Sequence, residues 1–273
     1  MRISEIVVVS YFIYLAIVSG LRPIAPARRR LVMTCAALPI VIVLALASVP
    51  STPVVVGVRD WMSGIYALAG YWLAGMLAGP VNTPLEAQLL AVDRRVFPVS
   101  WLDAWTARAP RVVLEYFELA YLFCYPTVPA GFLWLYLSGF PEAADLYWTN
   151  VLIALYVCYG LVPWAPTRPP RTIEGATAID RRHVLVRTIN LKLLQHGSIQ
   201  LNTFPSGHAA GAVATALAVA GLAPEAGLVF MLLALSIMAG SVLGRYHYLA
   251  DAIAGIAVAI ISSALSRAMV SGP

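Results

Sequence analysis

The sequence predicts an all-α fold: a polytopic membrane helix bundle of about eight transmembrane helices, with interfacial helices in its two long loops. Three observations carry that expectation. Of 273 residues, 60% are hydrophobic and 11% are charged, whereas a soluble domain has roughly 25% charged residues, so the chain lacks the polar side chains to clothe a water-exposed sphere. Mean hydropathy is +0.81, which excludes a disordered chain, because apolar content this high collapses in water. The apolar residues also fall in runs of about 20, the length a helix needs to cross a ~30 Å hydrocarbon core. Cys35, Cys124 and Cys158 each sit inside such a run and offer no pairing pattern for a disulfide scaffold.

The runs cover residues 3–20, 31–48, 61–79, 112–138, 147–164, 206–222, 226–243 and 248–267. The first resembles a signal peptide in position only. Arg2 in front of it is outweighed by Arg22 and Arg28, Arg29 and Arg30 behind it, so it reads as a retained span. The connection 80–111 interleaves Leu85, Leu89, Leu90, Val92, Val96 and Phe97 with Glu86, Asp93, Arg94 and Arg95. That pattern predicts a helix lying in the interface, anchored by Trp101 and Trp105 at head-group depth. The connection 166–205 carries a net charge of +4, and its Val184, Leu185, Ile189, Leu191 and Leu194 predict a second interfacial helix that covers the site. Ala223, Pro224 and Glu225 form a tight turn between the sixth and seventh spans. With no repeat and no linker, one membrane domain, 1–273, is expected. Its N-terminal spans and first interfacial helix occupy 1–111, and a catalytic helix bundle occupies 112–273.

Three stretches stand apart from membrane filler. Trp164 to Arg171 closes the fifth span, Asn202 to His208 opens the sixth, and Gly244 to Asp251 joins the seventh to the eighth. In an up-and-down bundle of eight spans all three fall on one membrane face. His247 and Asp251 are four residues apart, one turn on a helix face. A carboxylate there accepts a hydrogen bond from one ring nitrogen and leaves the other free and more basic, the arrangement of a nucleophilic or general-base histidine. A structural His–Asp pair is the competing explanation. Pro205, Ser206, Gly207 and His208 start a helix whose free N–H groups form an anion cradle; Gly207 admits an oxygen closely and His208 is placed to give a proton to a departing oxygen. An ordinary helix cap explains Ser206 equally well. Arg171, Arg168 and Arg245 supply guanidinium groups suited to phosphate oxygens, with lipid anchoring the plainer role for Arg168. No third ligand cluster accompanies the histidines, so no metal is expected. Together the stretches read as a phosphoryl-transfer site.

The order Pro-Pro-Arg171, then Pro205-Ser206-Gly207-His208, then His247 and Asp251 resembles the type 2 phosphatidic acid phosphatase superfamily over roughly residues 163–251. That superfamily includes lipid phosphate phosphatases and, as a diverged branch, inositol phosphorylceramide and sphingomyelin synthases. The resemblance implies His247 as a nucleophile forming a phosphohistidine and Asp251 as the group that holds it. It implies His208 as the acid for the leaving alcohol, and Ser206, Gly207 and Arg171 as phosphate ligands, with no cofactor. Two family positions differ: Leu161 stands where a lysine is usual and Ser241 where an arginine is usual, with Arg245 as the candidate replacement for the latter. The form His247-Tyr248 to Asp251 is more like the transferase branch. The implied activities are a lipid phosphatase or, alternatively, a phosphotransferase moving a phospho-head group to an alcohol. Its partners are then a lipid phosphate substrate and the bilayer. A transporter using His208, His247 and Asp251 as a proton relay is the non-enzymatic alternative, although polar residues at span ends favour an enzyme.

His183 and His196 match no motif position. Glu115 and Glu118, with Tyr116 and Tyr121 nearby, read as satisfied interfacial carboxylates rather than acceptor contacts. The net charge of +5 and pI of about 9.2 do not point to nucleic acid, because the basic residues are scattered in loops. Fifteen of the 18 basic residues fall on the site's face of the predicted bundle. The positive-inside rule therefore places the site in the cytoplasm, whereas the resemblance implies the periplasm or a lumen. The expected location is a bacterial cell membrane, with Thr177 as a reporter position for the side. Oligomeric state is not encoded in any of these features.

Overall fold

Apolar runs wind into helices because a backbone in hydrocarbon must satisfy its own hydrogen bonds. In a computed structural model, which describes residues 1–175 and 178–270, every predicted run is helical, and no strand occurs among the described residues. The elements are α1 (Ile3–Leu21), α2 (Pro26–Ser48), α3 (Pro53–Met76), α4 (Thr83–Val96), α5 (Val99–Arg108), α6 (Arg111–Leu122) and α7 (Thr127–Leu137). They continue with α8 (Ala144–Gly160), the single turn α9 (Pro170–Ile173), α10 (Leu185–Gly197), α11 (Gly207–Ala220), α12 (Pro224–Leu243) and α13 (Leu249–Val270). Several begin with proline, which has no N–H to lose at a helix start.

Of the eight expected spans, four or five have helices that are long and apolar enough to cross a membrane. Among the described residues these are α1, α2, α12 and α13, and the pair α6 and α7 makes a fifth if counted together. That pair bends by 70° where the sequence predicts one span over 112–138. Pro126 at the bend has no N–H to donate and its ring excludes the preceding carbonyl, so the helix restarts there. Helix α8 has 17 residues and α11 has 14, so α11 extends only ~21 Å.

Helix α11 is the hub, packed against α7, α8, α12 and α13. Its buried glycines and alanines let those backbones come close, which is how helices associate without a hydrophobic driving force. The chain directions are fixed by two polar ends. At one end the starts of α1, α3 and α8 meet: Arg59 pairs with Glu5 at 2.6 Å, Arg2 pairs with Asp60, and the Asp145 carboxylate accepts from the N–H groups of Ile3 and Ser4. At the other end the starts of α11 and α13 meet the ends of α8 and α12.

Both predicted interfacial helices lie at that second end. Helix α4 buries Leu89 and Leu90 against Tyr248. Helix α10 turns Arg187, Asn190 and Leu194 inward, and the Glu115 carboxylate caps its first turn through Leu185 N–H at 2.8 Å and Val186 N–H at 2.9 Å. Arg187 is buried between Glu118 at 2.8 Å and Asp180 at 2.7 Å; removing one member of such a pair costs about 3–5 kcal/mol. Trp101 is exposed as an anchor would be. Trp105 instead packs on Ala109, Leu114, Ile179 and Val184.

Candidate active site

The turn between α12 and α13 presents His247. The Ser241 carbonyl accepts from the N–H groups of both Tyr246 (2.8 Å) and His247 (3.1 Å), which winds the chain tightly. Arg245 takes a left-handed φ of 60°, sparsely populated for a residue with a β-carbon. The Arg171 N–H holds that turn from the first motif by donating to the Arg245 carbonyl at 3.1 Å. His247 lies just ahead of α13 and Asp251 in its first turn. The Asp251 Oδ2 atom faces His247 Nδ1 at 3.2 Å and accepts from Tyr248 N–H at 3.2 Å. The other ring nitrogen, His247 Nε2, lies 3.0 Å from His208 Nδ1. With the carboxylate accepting from Nδ1–H, the network assigns the proton between the rings to His208. Asp251, His247 and His208 thus form a continuous row.

Backbone contacts join the three motifs. Ser206 N–H donates to the Asp251 carbonyl at 2.9 Å, and Asn202 N–H to the Thr167 carbonyl at 2.7 Å. Asn202 Nδ2 donates to the Tyr246 carbonyl at 3.1 Å. Helices α11 and α13 cross at Gly255, where a β-carbon would stand 2.6 Å from the Ser206 carbonyl oxygen. That contact leaves no room for a side chain at the crossing from which His208 and Asp251 project.

His208 and His247 face a cavity of about 370 Å³, whose polar end also includes Arg171, Asn202, Thr203 and Gly207. The Arg171 guanidinium lies 5.0 Å above the Tyr246 ring, and among the described residues no carboxylate pairs with it. Burial pulls its pKa below the usual value, yet an arginine stays charged, so it is a cation held in a half-dry site without a counter-ion. Tyr246 is itself stacked on Tyr121, with ring centroids 3.9 Å apart, and its hydroxyl donates to Glu118. Tyr121 and Tyr125 meet the His208 ring edge-on at 5.8 and 5.9 Å.

The other predicted residues have different placements. Arg168 turns from the cavity to Glu86, with Nη2 to Oε2 at 2.8 Å. Burial pushes the Glu86 carboxyl up, and the Arg168 guanidinium and N–H reverse this and hold it below the usual carboxylate range. Arg245 is buried outside the cavity and pairs with Glu174, so it does not supply the charge missing at Ser241. Leu161, at the position where a lysine is usual, is 40% exposed on the outer surface of the bundle. Ser206 is the cap of α11, its Oγ accepting from Ala209 N–H at 3.3 Å. Gly207 lines the cavity, but its N–H donates to Thr203 Oγ1 at 2.8 Å. His183 and His196 are exposed away from the site. Glu115 and Glu118 are satisfied by α10, as the sequence suggests, and Tyr116 bonds to Ser236 at 2.7 Å.

Residues without a motif signal also build the site. Asp93 on α4 accepts from Leu249 N–H at 2.9 Å and so caps α13 beside His247. Burial pushes its carboxyl up to about 6, with the Asp251 charge adding to the effect. Tyr246 and Asn202, which lie inside the motif stretches, also act through partners distant in sequence.

No curated protein and no solved structure matches the chain. A family profile described as the PAP2 superfamily matches residues 87–265. The match begins in α4, ahead of Trp105, so it takes in the first interfacial helix that the motif resemblance left out. It ends inside α13 and contains every residue of the His–His–Asp row. With most of the chain under one profile, the protein belongs to the PAP2 superfamily of membrane phosphatase-type lipid phosphoesterases.

Proposed function

We propose that the protein cleaves a phosphoester of a lipid phosphate through a phosphohistidine at His247, without a metal. The observation that carries this is the row Asp251–His247–His208 at the polar end of a cavity that also holds Arg171, which has no carboxylate partner among the described residues. In the first step the Nε2 lone pair of His247 attacks phosphorus, and the P–N bond forms as the bond to the alcohol oxygen breaks. His208 gives its proton to that oxygen. Asp251 balances the charge that develops on the His247 ring. In the second step water attacks phosphorus, His208 takes a proton from it, and the P–N bond breaks to release phosphate. The phosphoryl group takes the place of the 3.0 Å His208–His247 hydrogen bond, so substrate parts the two rings as it binds.

One observation favours a second reading, transfer to an alcohol instead of water. Among the described residues Arg171 is the one arginine or lysine lining the cavity, with Leu161 and Ser241 in the usual cationic positions. A single guanidinium matches the single charge of a phosphodiester better than the two charges of a monoester.

The test uses purified protein in detergent with radiolabelled phosphatidic acid and, in parallel, head-group-labelled phosphatidylinositol plus an alcohol acceptor. Wild type is expected to trap an acid-labile phosphohistidine and release either free phosphate or a new phosphodiester lipid, which decides between the two readings. His247→Ala is expected to abolish both the adduct and turnover, and His208→Ala to lower kcat by about 10²–10⁴. Full turnover in His247→Ala would refute the mechanism.

A further inference from the structure

The cavity has two walls of different origin. Its polar end and the wall formed by Tyr125, Val128, Leu155 and Gly211 lie within residues 87–265, the matched region. The facing wall is α3, which lies wholly outside that region. Trp61, Gly64, Ile65, Leu68, Tyr71 and Trp72 line the cavity from this helix. Their spacing of three, four and seven residues is that of one helical face, and it runs for roughly 16 Å along the axis.

This face is not filled core. Trp61 is 41% exposed, Ile65 57%, Leu68 64% and Trp72 44%. An apolar stripe of this length, open at its edge and continuous with His208, His247 and Arg171 in one cavity, fits one occupant. That occupant is a hydrocarbon chain attached to the phosphate held at the polar end. Gly64 and Trp148 line the cavity together; a β-carbon at 64 would be in ordinary contact with Trp148 at 3.5 Å, so anything larger presses on that ring and narrows the cavity at this point. Helix α3 is also tied to the site. The Tyr71 hydroxyl accepts from Ile199 N–H at 3.1 Å, and Ile199 sits where a side chain on Gly75 would be, 2.4 Å from that missing β-carbon. The segment leading to Asn202 and Ser206 is thus registered on the same helix that walls the slot.

We propose that α3 is the chain-selecting wall, its Trp61–Trp72 face setting which hydrocarbon tail the site accepts. This rests on the phosphate end being the reaction site. The experiment is photo-crosslinking of the full-length protein in phosphatidylcholine vesicles, using phosphatidic acid with a diazirine near the tail end. Adducts are expected on α3 between residues 61 and 72. Excess unlabelled phosphatidic acid or phosphatidylinositol is expected to compete them away, and added phosphatidylcholine is not. Gly64→Leu is expected to reduce the competed labelling about tenfold, as when roughly two chain methylenes lose their burial. Leu68→Trp, at an exposed position, serves if the glycine variant does not fold. Labelling of α3 that no competitor reduces, or that both variants leave unchanged, overturns the proposal. Labelling retained in His247→Ala supports it independently of turnover. Turnover retained in that variant counts against the reaction site alone.

Discussion

The three arginines of the motifs divide into two roles, and their partners decide which. Arg168 and Arg245 each face a carboxylate, Glu86 and Glu174, and are thereby neutralised as anion ligands. Arg171 meets an aromatic face instead, which orients a guanidinium without cancelling its charge. Substitutions are expected to separate these roles. Arg171→Lys keeps the charge but loses the planar fork, and a lost charged hydrogen bond of about 1.5–3 kcal/mol lowers kcat/KM by roughly 10–100-fold. Arg168→Gln is expected to lower Tm while kcat/KM stays within about twofold, since it leaves the cavity untouched. Steady-state kinetics and melting of both variants in detergent check this, and equal kinetic losses would place Arg168 at the substrate. The sequence marked all three as candidates, because an arginine near a motif looks the same whether its partner is a phosphate or a carboxylate 82 positions away.

Among the elements, the row Asp251–His247–His208 lies beside a helix crossing. Helices α11 and α13 touch at Gly255 and the Ser206 carbonyl, and Ser206 N–H bonds back to Asp251. Any side chain at 255 pushes the start of α11 outward and with it His208. Gly255→Val is expected to cost about 1–3 kcal/mol through overpacking. It is also expected to lower kcat by more than tenfold, a drop beyond what the fall in Tm explains. A variant with wild-type kcat would show that the crossing does not set the histidine distance. Helix existence was legible: the apolar runs, α4 and α10 were all readable from hydrophobic spacing. The 70° bend at Pro126 had a proline to announce it, yet one span was expected because apolar character continues through it. Gly255 carried no signal, as a glycine among alanines and isoleucines is common in membrane helices. Its meaning comes from a carbonyl 49 residues earlier.

For the whole molecule, the open quantity is the side of the membrane that bears the site. Five of the basic residues on the site's face, Arg94, Arg111, Arg168, Arg187 and Arg245, are paired with carboxylates, as are Arg2 and Arg59 opposite. Setting these pairs aside leaves the excess of free positive charge where it was, on the site's face, and the expected placement is cytoplasmic. Thr177 lies outside the described residues, so exposed His183 is the better reporter. His183→Cys is expected to react with an impermeant thiol reagent only after lysis; labelling in intact cells reverses the orientation. The native cysteines are buried or half-buried and give little background. Composition and spacing carried the class and the candidate chemistry: scarce charge and long apolar runs point to a membrane bundle, and the ordered histidine, carboxylate and arginine motifs resemble those of a phosphoryl-transfer family. Packing was needed to tell which arginine lacks a carboxylate partner among the described residues, which glycine meets the Ser206 carbonyl, and which helix lines the cavity. Local spacing is a property of one segment, whereas charge neutralisation, close approach and enclosure are properties of pairs of segments, and those exist only once the chain has packed.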